Sequence, residues 1–415
     1  MGQLGNWVNE MAEGDYFSAK EAAAALGISL PTLYAYVSRG LVQSEAGMGQ
    51  SRARRYRRAD VDALLARKAL RQNPAQAAES ALHFGSPVLA SAMTLIEDGR
   101  FYYRGHDAVH LAQTASFEAV ASLLWRDVLV EADLFPPELP ASLQQRMAEV
   151  QPILASLPLF ERLQVLLPLL AGQDLAAFDL AETAVAQTGA RLLHLLTWAA
   201  TGQQPQADLA TALQQAWTPH NLAVRPLLNT ALILCADHEL NVSAFAARVV
   251  ASAQANPYAV VQAGLAALQG ARHGGHTERV GALLHEVHSV AEVRPAVAAR
   301  LRRGESIPGF GHPLYPHGDP RGKLLLDLIE AEFVGETAVA ILQEFRQTMV
   351  EATGQRPTID FGLAALALAA KLPVGASLAL FALGRTAGWL GQAIEQYQQD
   401  QIIRPRARYV GKQPN

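Results

Sequence analysis

Six of the chain's twelve histidines fall between residues 273 and 317, and several are set among glycines and prolines. Gly270-Ala271-Arg272-His273-Gly274-Gly275-His276 follows an apolar stretch, and Ile307-Pro308-Gly309-Phe310-Gly311-His312-Pro313 forms a second such loop. Glycine lets the backbone approach a ligand closely, which places these imidazoles at loop tips or helix starts, where protons can be exchanged. Ala236-Asp237-His238-Glu239-Leu240-Asn241 closes another apolar run, and Asp360 stands alone at the entrance to an apolar helix beginning near Phe361. Burial there would raise a carboxyl toward the range useful to a base. Each residue also has a plainer reading: a histidine satisfied in a helical core, or an aspartate acting as N-cap. Arg385 interrupts an apolar helix, and a buried guanidinium needs an anion, whether a ligand or an acidic side chain. His273/His276 and His285/His288 share a spacing that puts both rings on one helix face. A zinc site usually wants three protein ligands, and neither a cysteine nor an H-E-x-x-H order assists here, so no metal is expected.

The elements that must hold these residues are helical in pattern. Glu118 to Trp125, Leu209 to Ala216, Arg225 to Ala236 and Ser243 to Ala253 are Ala- and Leu-rich runs punctuated by Pro and Gly, and only Arg100 to Arg104 alternates with period two. Strands alternating with helices are not visible, which predicts a mainly α, large all-α domain. With 415 residues and 50% apolar content the chain can bury a sizeable core. Its apolar runs are cut short of a bilayer span, Phe361 to Ala370 by Lys371 and Leu372 to Gly384 by Arg385. No membrane is expected. The N-terminus shows no basic segment followed by an apolar one, and a single cysteine, Cys235, closes no intrachain disulfide; both fit a cytoplasmic protein.

Net charge is −4 but unevenly spread, because residues 1–72 hold ten Lys/Arg against seven acids. Ser18 with Glu21 fits a capping box opening a helix that Gly27 ends. Ser29 and Pro31 open a second helix, Leu30 to Arg39, closed by Gly40. Leu41 to Tyr56 reads as a hairpin around Gly47 and Gly49, and Arg57 to Arg71 as a third, basic helix. FSAKEAAAALGISLPTLYAYVSRGLV followed by RRYRRADVDALL resembles the winged helix-turn-helix of the MerR type over about 55 residues. Arg52, Arg54, Arg55, Arg57 and Arg58 would then pair with DNA phosphates, unless this face serves as a packing surface. Asn73 to Ser80, proline-containing and rich in small polar residues, reads as a linker.

Beyond the linker the chain resembles citrate synthase. The resemblance is carried in order by GRFYYRGHDAVHLAQTASFEAVASLLW (99–125), ADHELNVS (236–243), GARHGGHTERV (270–280), PGFGHPLYPHGDPRG (308–322), TIDFGLAAL (358–366) and GRTAGWLGQAIEQYQQDQIIRPRARYVG (384–411). It implies a two-lobed fold, a large lobe from 81–273 and 374–415 and a small one from 274–373. It also implies condensation of acetyl-CoA with oxaloacetate and water to citrate and CoA, in the tricarboxylic acid cycle. On that resemblance Asp360 is the base, His273 steadies the enolate and His312 polarises the ketone of oxaloacetate. Arg321, Arg385 and Arg404, with His238 and Asn241, hold oxaloacetate, while Gly309, Phe310 and Gly311 meet CoA. Acyl-CoA is then a substrate, and no cofactor or metal is implied. A homodimer is, with Arg404 reaching the partner's site. Two positions depart from the family's pattern: Pro313 follows His312 where a basic residue is common, and Gly391-Gln392 stands where Ala-His is common. The alternatives are a 2-methylcitrate synthase using propionyl-CoA and a DNA-binding regulator that keeps the fold as a metabolite sensor.

Overall fold

The computed structural model describes residues 16–39, 41–46, 54–58, 60–62, 64–65, 89–130, 134–136, 138–205 and 208–414. They belong to two compact units divided between Ala90 and Ser91. The linker read at 73–80, Gly40, the turn around Gly47 and Gly49, and the end of the basic helix lie outside the described residues.

In the first unit, β1 (Tyr16–Ser18) runs into α1 (Ala19–Leu26), with Ser18 and Glu21 forming the expected capping box and Gly27 at φ +61° closing the helix. Ser29 caps α2 (Leu30–Ser38) by accepting from the Thr32 N–H, with Pro31 in its first turn. β2 (Ser44–Ala46) pairs antiparallel with β3 (Arg54–Arg57), and β1 pairs on the other side of β3. That third strand was not visible in the sequence, because three residues cannot display a period. Ala22, Leu26, Leu33, Val42, Tyr56 and Val61 bury a small core of their own.

In the second unit, the one alternating stretch is indeed a strand. β5 (Arg100–Tyr103) lies between β4 (Thr94–Glu97) and β6 (His106–Asp107) in an antiparallel sheet. Phe101 and Tyr103 are buried from it. Helices make up the remainder: α3 (Ala108–Thr114), α4 (Phe117–Arg126), α5 (Ala141–Ala155), α6 (Leu159–Leu170), α7 (Glu182–Thr201), α8 (Leu209–Trp217), α9 (Val224–Cys235), α10 (Val242–Ser252), α11 (Pro257–Leu268), α12 (Gly275–His285), α13 (Val290–Arg302), α14 (Pro320–Glu332), α15 (Thr337–Thr353), α16 (Ile359–Ala369) and α17 (Ala376–Gln399). None is long and apolar enough to cross a membrane among the described residues.

The spine is α17, packed against α4, α7, α9, α10, α11, α12 and α16. A helix apolar on every side must be surrounded, and its residues from Leu378 to Ile394 are all buried. Its approach to α9 depends on Gly384 and Gly388, where an added Cβ would meet the Leu232 carbonyl oxygen at 2.5 Å and the Ala236 carbonyl oxygen at 2.3 Å. This contact brings Arg385, midway along the spine, to the C-terminal end of α9 and the Asp237-His238 turn beyond it.

Candidate active site

The Asp237-His238 turn is fixed from behind. Tyr103 on β5 donates its hydroxyl to the Ile233 carbonyl at 2.9 Å, and its oxygen accepts the Asp237 N–H at 3.2 Å. Thr94 donates to Asp237 Oδ2 at 2.6 Å, while Oδ1 is buried without a hydrogen bond, and burial pushes this carboxyl up to about 6. His238 is buried. Its Nε2 lies 2.9 Å from the Tyr315 hydroxyl, and its ring stands edge-on to that of His312 at 5.5 Å. Burial, and then the charges of Arg321 and Arg385, hold His238 well below the usual imidazole range.

His312 ends a loop laced to the segment ahead of α16. Gly309, at φ +87°, accepts from the Thr358 N–H at 2.9 Å, and the Gly311 N–H donates to the Arg356 carbonyl at 2.9 Å. The loop follows this path because Gly309 adopts a left-handed conformation and presses so closely on Val280 that a Cβ would sit 2.9 Å from it. Phe310 lies tilted against Phe361, with ring centres 4.8 Å apart. The Leu314 N–H donates to His312 Nδ1 at 3.2 Å, so the ring's proton resides on Nε2. Burial and the nearby Arg321 push His312 down to about 4. Beside it a cavity of about 300 Å³ is walled by Tyr315, Gly318, Gln355 and Arg356.

His273 lies in the turn that opens α12. Its Nε2 is 2.7 Å from Ser243 Oγ, which also lies 2.8 Å from Asn241 Oδ1 and receives the Trp389 Nε1–H at 3.1 Å. Asn241 Oδ1 already accepts the N–H groups of Ser243 and Ala244, each at 3.1 Å, as the N-cap of α10. Burial, with Arg385 nearby, pushes His273 down to about 3.

Asp360 is the second residue of α16 rather than its cap, which is Thr358. Its Oδ1 accepts from Thr277 on α12 at 2.6 Å, and its Oδ2 has only the longer 3.4 Å contact with Thr358. Desolvation raises its pKa above the ordinary carboxylate value, against the lowering effect of the Thr277 bond.

Two arginines are buried in this region. Arg321 is held bidentately by Asp319, with both bonds at 2.9 Å, and its guanidinium lies 5.5 Å from the Tyr315 ring centre. Arg385 donates its Nε to the Cys235 carbonyl at 2.6 Å and sits over Phe381, which also meets His273 edge-on at 5.8 Å. Among the described residues no carboxylate forms an ion pair with Arg385. An anion-sized need is therefore left where two neutral imidazoles converge.

The structure thus gathers His238, His312, Arg321 and Arg385 around Tyr315 and Phe381, with His273 and Asp360 on adjoining elements. Asn241 is near, but its carboxamide oxygen is committed to capping α10 and its Nδ2 donates to the His238 carbonyl at 3.3 Å. Arg404 is not gathered in; it lies exposed on the irregular tail after α17, which is tied down by the Ile403 N–H to Ser252 Oγ at 3.0 Å. Tyr315 and Asp319 were missed although they share the PGFGHPLYPHGDPRG stretch with Arg321. Ser243, Thr277 and Phe381 gave no sequence signal. Gln392, one of the two departures, is buried and accepts from Arg248 Nη1 at 2.9 Å, beside Gln396 and Glu395.

A family profile for the C-terminal domain of citrate synthase matches residues 83–406. The chain belongs to the citrate synthase family. A second profile, a helix-turn-helix domain, matches residues 16–69. Citrate synthase 2 of Bacillus subtilis is 30% identical over 352 residues, covering 79% of this chain and 94% of that one. A 2-methylcitrate synthase of Mycobacterium tuberculosis is also 30% identical, over 346 residues, covering 74% and 84%. The crystal structure of citrate synthase from Thermotoga maritima is similar with a TM-score of 0.64 at 26% identity, covering 80% of this chain and 95% of that one. The citrate synthase fold here is therefore joined to an N-terminal helix-turn-helix unit.

Proposed function

We propose that this citrate synthase family member condenses acetyl-CoA with oxaloacetate and water to give citrate and CoA. The observation that carries this reading is the convergence of the neutral His238 and His312 on Arg321 and Arg385, the latter lacking a protein carboxylate partner among the described residues. Two guanidiniums suit a dicarboxylate, and imidazoles held neutral donate hydrogen bonds to a carbonyl without competing for those carboxylates.

The steps then follow from the hydrogen bonds. Asp360 Oδ2, the less engaged oxygen, removes a proton from the thioester methyl group. Ser243 Oγ donates to Asn241 Oδ1 at 2.8 Å and lies 2.7 Å from His273 Nε2, which orients the ring of His273 so that it would steady the enolate oxygen. The enolate carbon attacks the ketone carbon of oxaloacetate, and His312 Nε2–H protonates the new alkoxide. Water then hydrolyses the citryl-CoA thioester. Gly309, Phe310 and Gly311 would meet CoA, and closure of a lobe of 274–373 on one of 81–273 and 374–415 would exclude water during enolisation. A homodimer with Arg404 completing the partner's site, and a cytoplasmic setting for the tricarboxylic acid cycle, belong to the same reading. Residues 1–72 would bind DNA.

One methylene in an apolar pocket is worth only about 1–3 kcal/mol, so propionyl-CoA is the competing substrate, and a relative named 2-methylcitrate synthase shares the same 30% identity as one named citrate synthase. The test is thiol release with oxaloacetate and each acyl-CoA. A higher kcat/KM for acetyl-CoA supports the reading, a higher value for propionyl-CoA makes the protein a 2-methylcitrate synthase, and no release with either favours a regulator that senses oxaloacetate.

A further inference from the structure

His276 takes no part in the chemistry above, yet it lies where the three segments carrying that chemistry meet. Its backbone N–H donates to the His273 carbonyl at 2.8 Å, within the turn that opens α12. Its ring Nε2 accepts the backbone N–H of Gly309 at 3.0 Å, at the start of the loop that ends in His312. Gly309 in turn offers its carbonyl to the Thr358 N–H at 2.9 Å and to Thr358 Oγ1 at 3.2 Å, two residues ahead of Asp360. The neighbouring Thr277 donates to Asp360 Oδ1 at 2.6 Å. The imidazole of His276 therefore bonds the start of α12 to the His312 loop at Gly309, and the Gly309 carbonyl bonds that loop to the start of the Asp360 helix.

We propose that His276 is a positioning residue whose neutral imidazole clasps the Gly309 loop to the start of α12, setting His312 and Asp360 against His273 for the condensation. The proposal rests on the condensation reading. An imidazole accepting at Nε2 carries its proton on Nδ1, so the clasp requires the uncharged ring. Oxaloacetate affinity rests chiefly on arginines of α14 and α17, which this bond does not hold. Losing it therefore falls on turnover, where misplacement by about 1 Å costs on the order of 100-fold.

The test uses the full-length protein. His276→Ala should lower kcat about 10- to 100-fold while the calorimetric Kd for oxaloacetate moves less than about threefold. Amide exchange in the peptide containing Gly309 should quicken by more than about tenfold. His276→Gln, whose Oε1 can accept the same N–H, should recover kcat to within about threefold of wild type, and His276→Leu, which fills space without an acceptor, should not. An Ala variant with wild-type kcat, or a Gln variant no better than Leu, overturns the proposal. If the Ala variant fails to bind oxaloacetate, the Gln and Leu pair decides on the same terms. If the wild type releases no CoA from any acyl-CoA, the condensation reading has failed, and exchange at Gly309 judges the clasp alone: unchanged exchange in the Ala variant overturns it, and faster exchange upholds it.

Discussion

Asp360 shows how one side chain acquires a task from its surroundings. Its Oδ1 is engaged by Thr277 while Oδ2 has only a long contact, and desolvation lifts its pKa. Asp360→Asn keeps the shape and removes the basicity, so kcat should fall at least about 100-fold with oxaloacetate binding retained; near-normal CoA release would remove Asp360 from the mechanism. The imidazoles make a second prediction, about stability. His273 and His312 titrate near 3 and 4 when folded but about 6.5 when unfolded, so below pH 6.5 the unfolded chain binds protons that the native one refuses. Their contribution is complete above about pH 6.5 and drains away as pH falls toward 4 and then 3. Asp237, raised to about 6, acts oppositely and removes stability as pH rises from about 3.8 to 6. The three depressed imidazoles of the site, His238, His273 and His312, outweigh its two raised carboxyls, Asp237 and Asp360, so the thermal midpoint should be lower at pH 5 than at pH 7. An equal or higher midpoint at pH 5 would mean that these rings are not held neutral.

The elements matter through their close approaches. Gly264 on α11 faces Trp389 of α17, and a Cβ there would lie 2.4 Å from the indole. That indole donates to Ser243, which in turn holds His273. Gly264→Ala should therefore cost about 1–3 kcal/mol by overpacking and also lower kcat, because the displaced indole frees the hydroxyl that orients His273. Chemical denaturation and turnover of the same variant check both; lost stability with unchanged kcat would show that the indole does not govern His273. In the first unit, the β3 arginines already have partners: Arg55 stacks on Tyr16 at 4.3 Å and pairs with Glu45 at 3.5 Å, Arg54 bonds Ser44 at 3.2 Å and Arg57 bonds Gln43 at 3.0 Å. These exposed contacts are weak enough for phosphates to displace. Full-length protein should bind duplex DNA with an affinity that falls steeply with salt, and changing Arg54, Arg55 and Arg57 together to Ala should weaken all duplexes alike. No salt-dependent binding to any duplex would leave this face as a packing surface.

At the scale of the whole molecule, the tail poses the question of assembly. Pro405 stops any helix just after Arg404, and the exposed segment is tied to its own chain at Ile403. If Arg404 completes a partner's site, mixing inactive Asp360→Ala and Arg404→Ala proteins should restore activity. Random exchange makes about half of the dimers mixed, each with one intact site, so roughly a quarter of wild-type activity should return. No recovery after verified exchange would place Arg404 in its own subunit's site or outside any site.

The sequence determined by itself what depends on neighbours along the chain. The capping box at Ser18 and Glu21, the Gly27 stop, the apolar run from Leu372 to Gly384 that Arg385 interrupts and the glycines flanking His273 and His312 are local patterns, and local hydrogen bonding and backbone freedom suffice to read them. The order of the motifs likewise carried the family. Only the tertiary structure decided which groups face one another. Ser243 and Thr277 are ordinary helix-start residues until packing sets them against His273 and Asp360, 30 and 83 residues away in the chain. Tyr103 lies 134 residues from the Asp237 turn that it braces. The depression of the imidazole pKa values and the elevation of Asp237 and Asp360 arise from desolvation, a property of the closed core that no linear pattern displays.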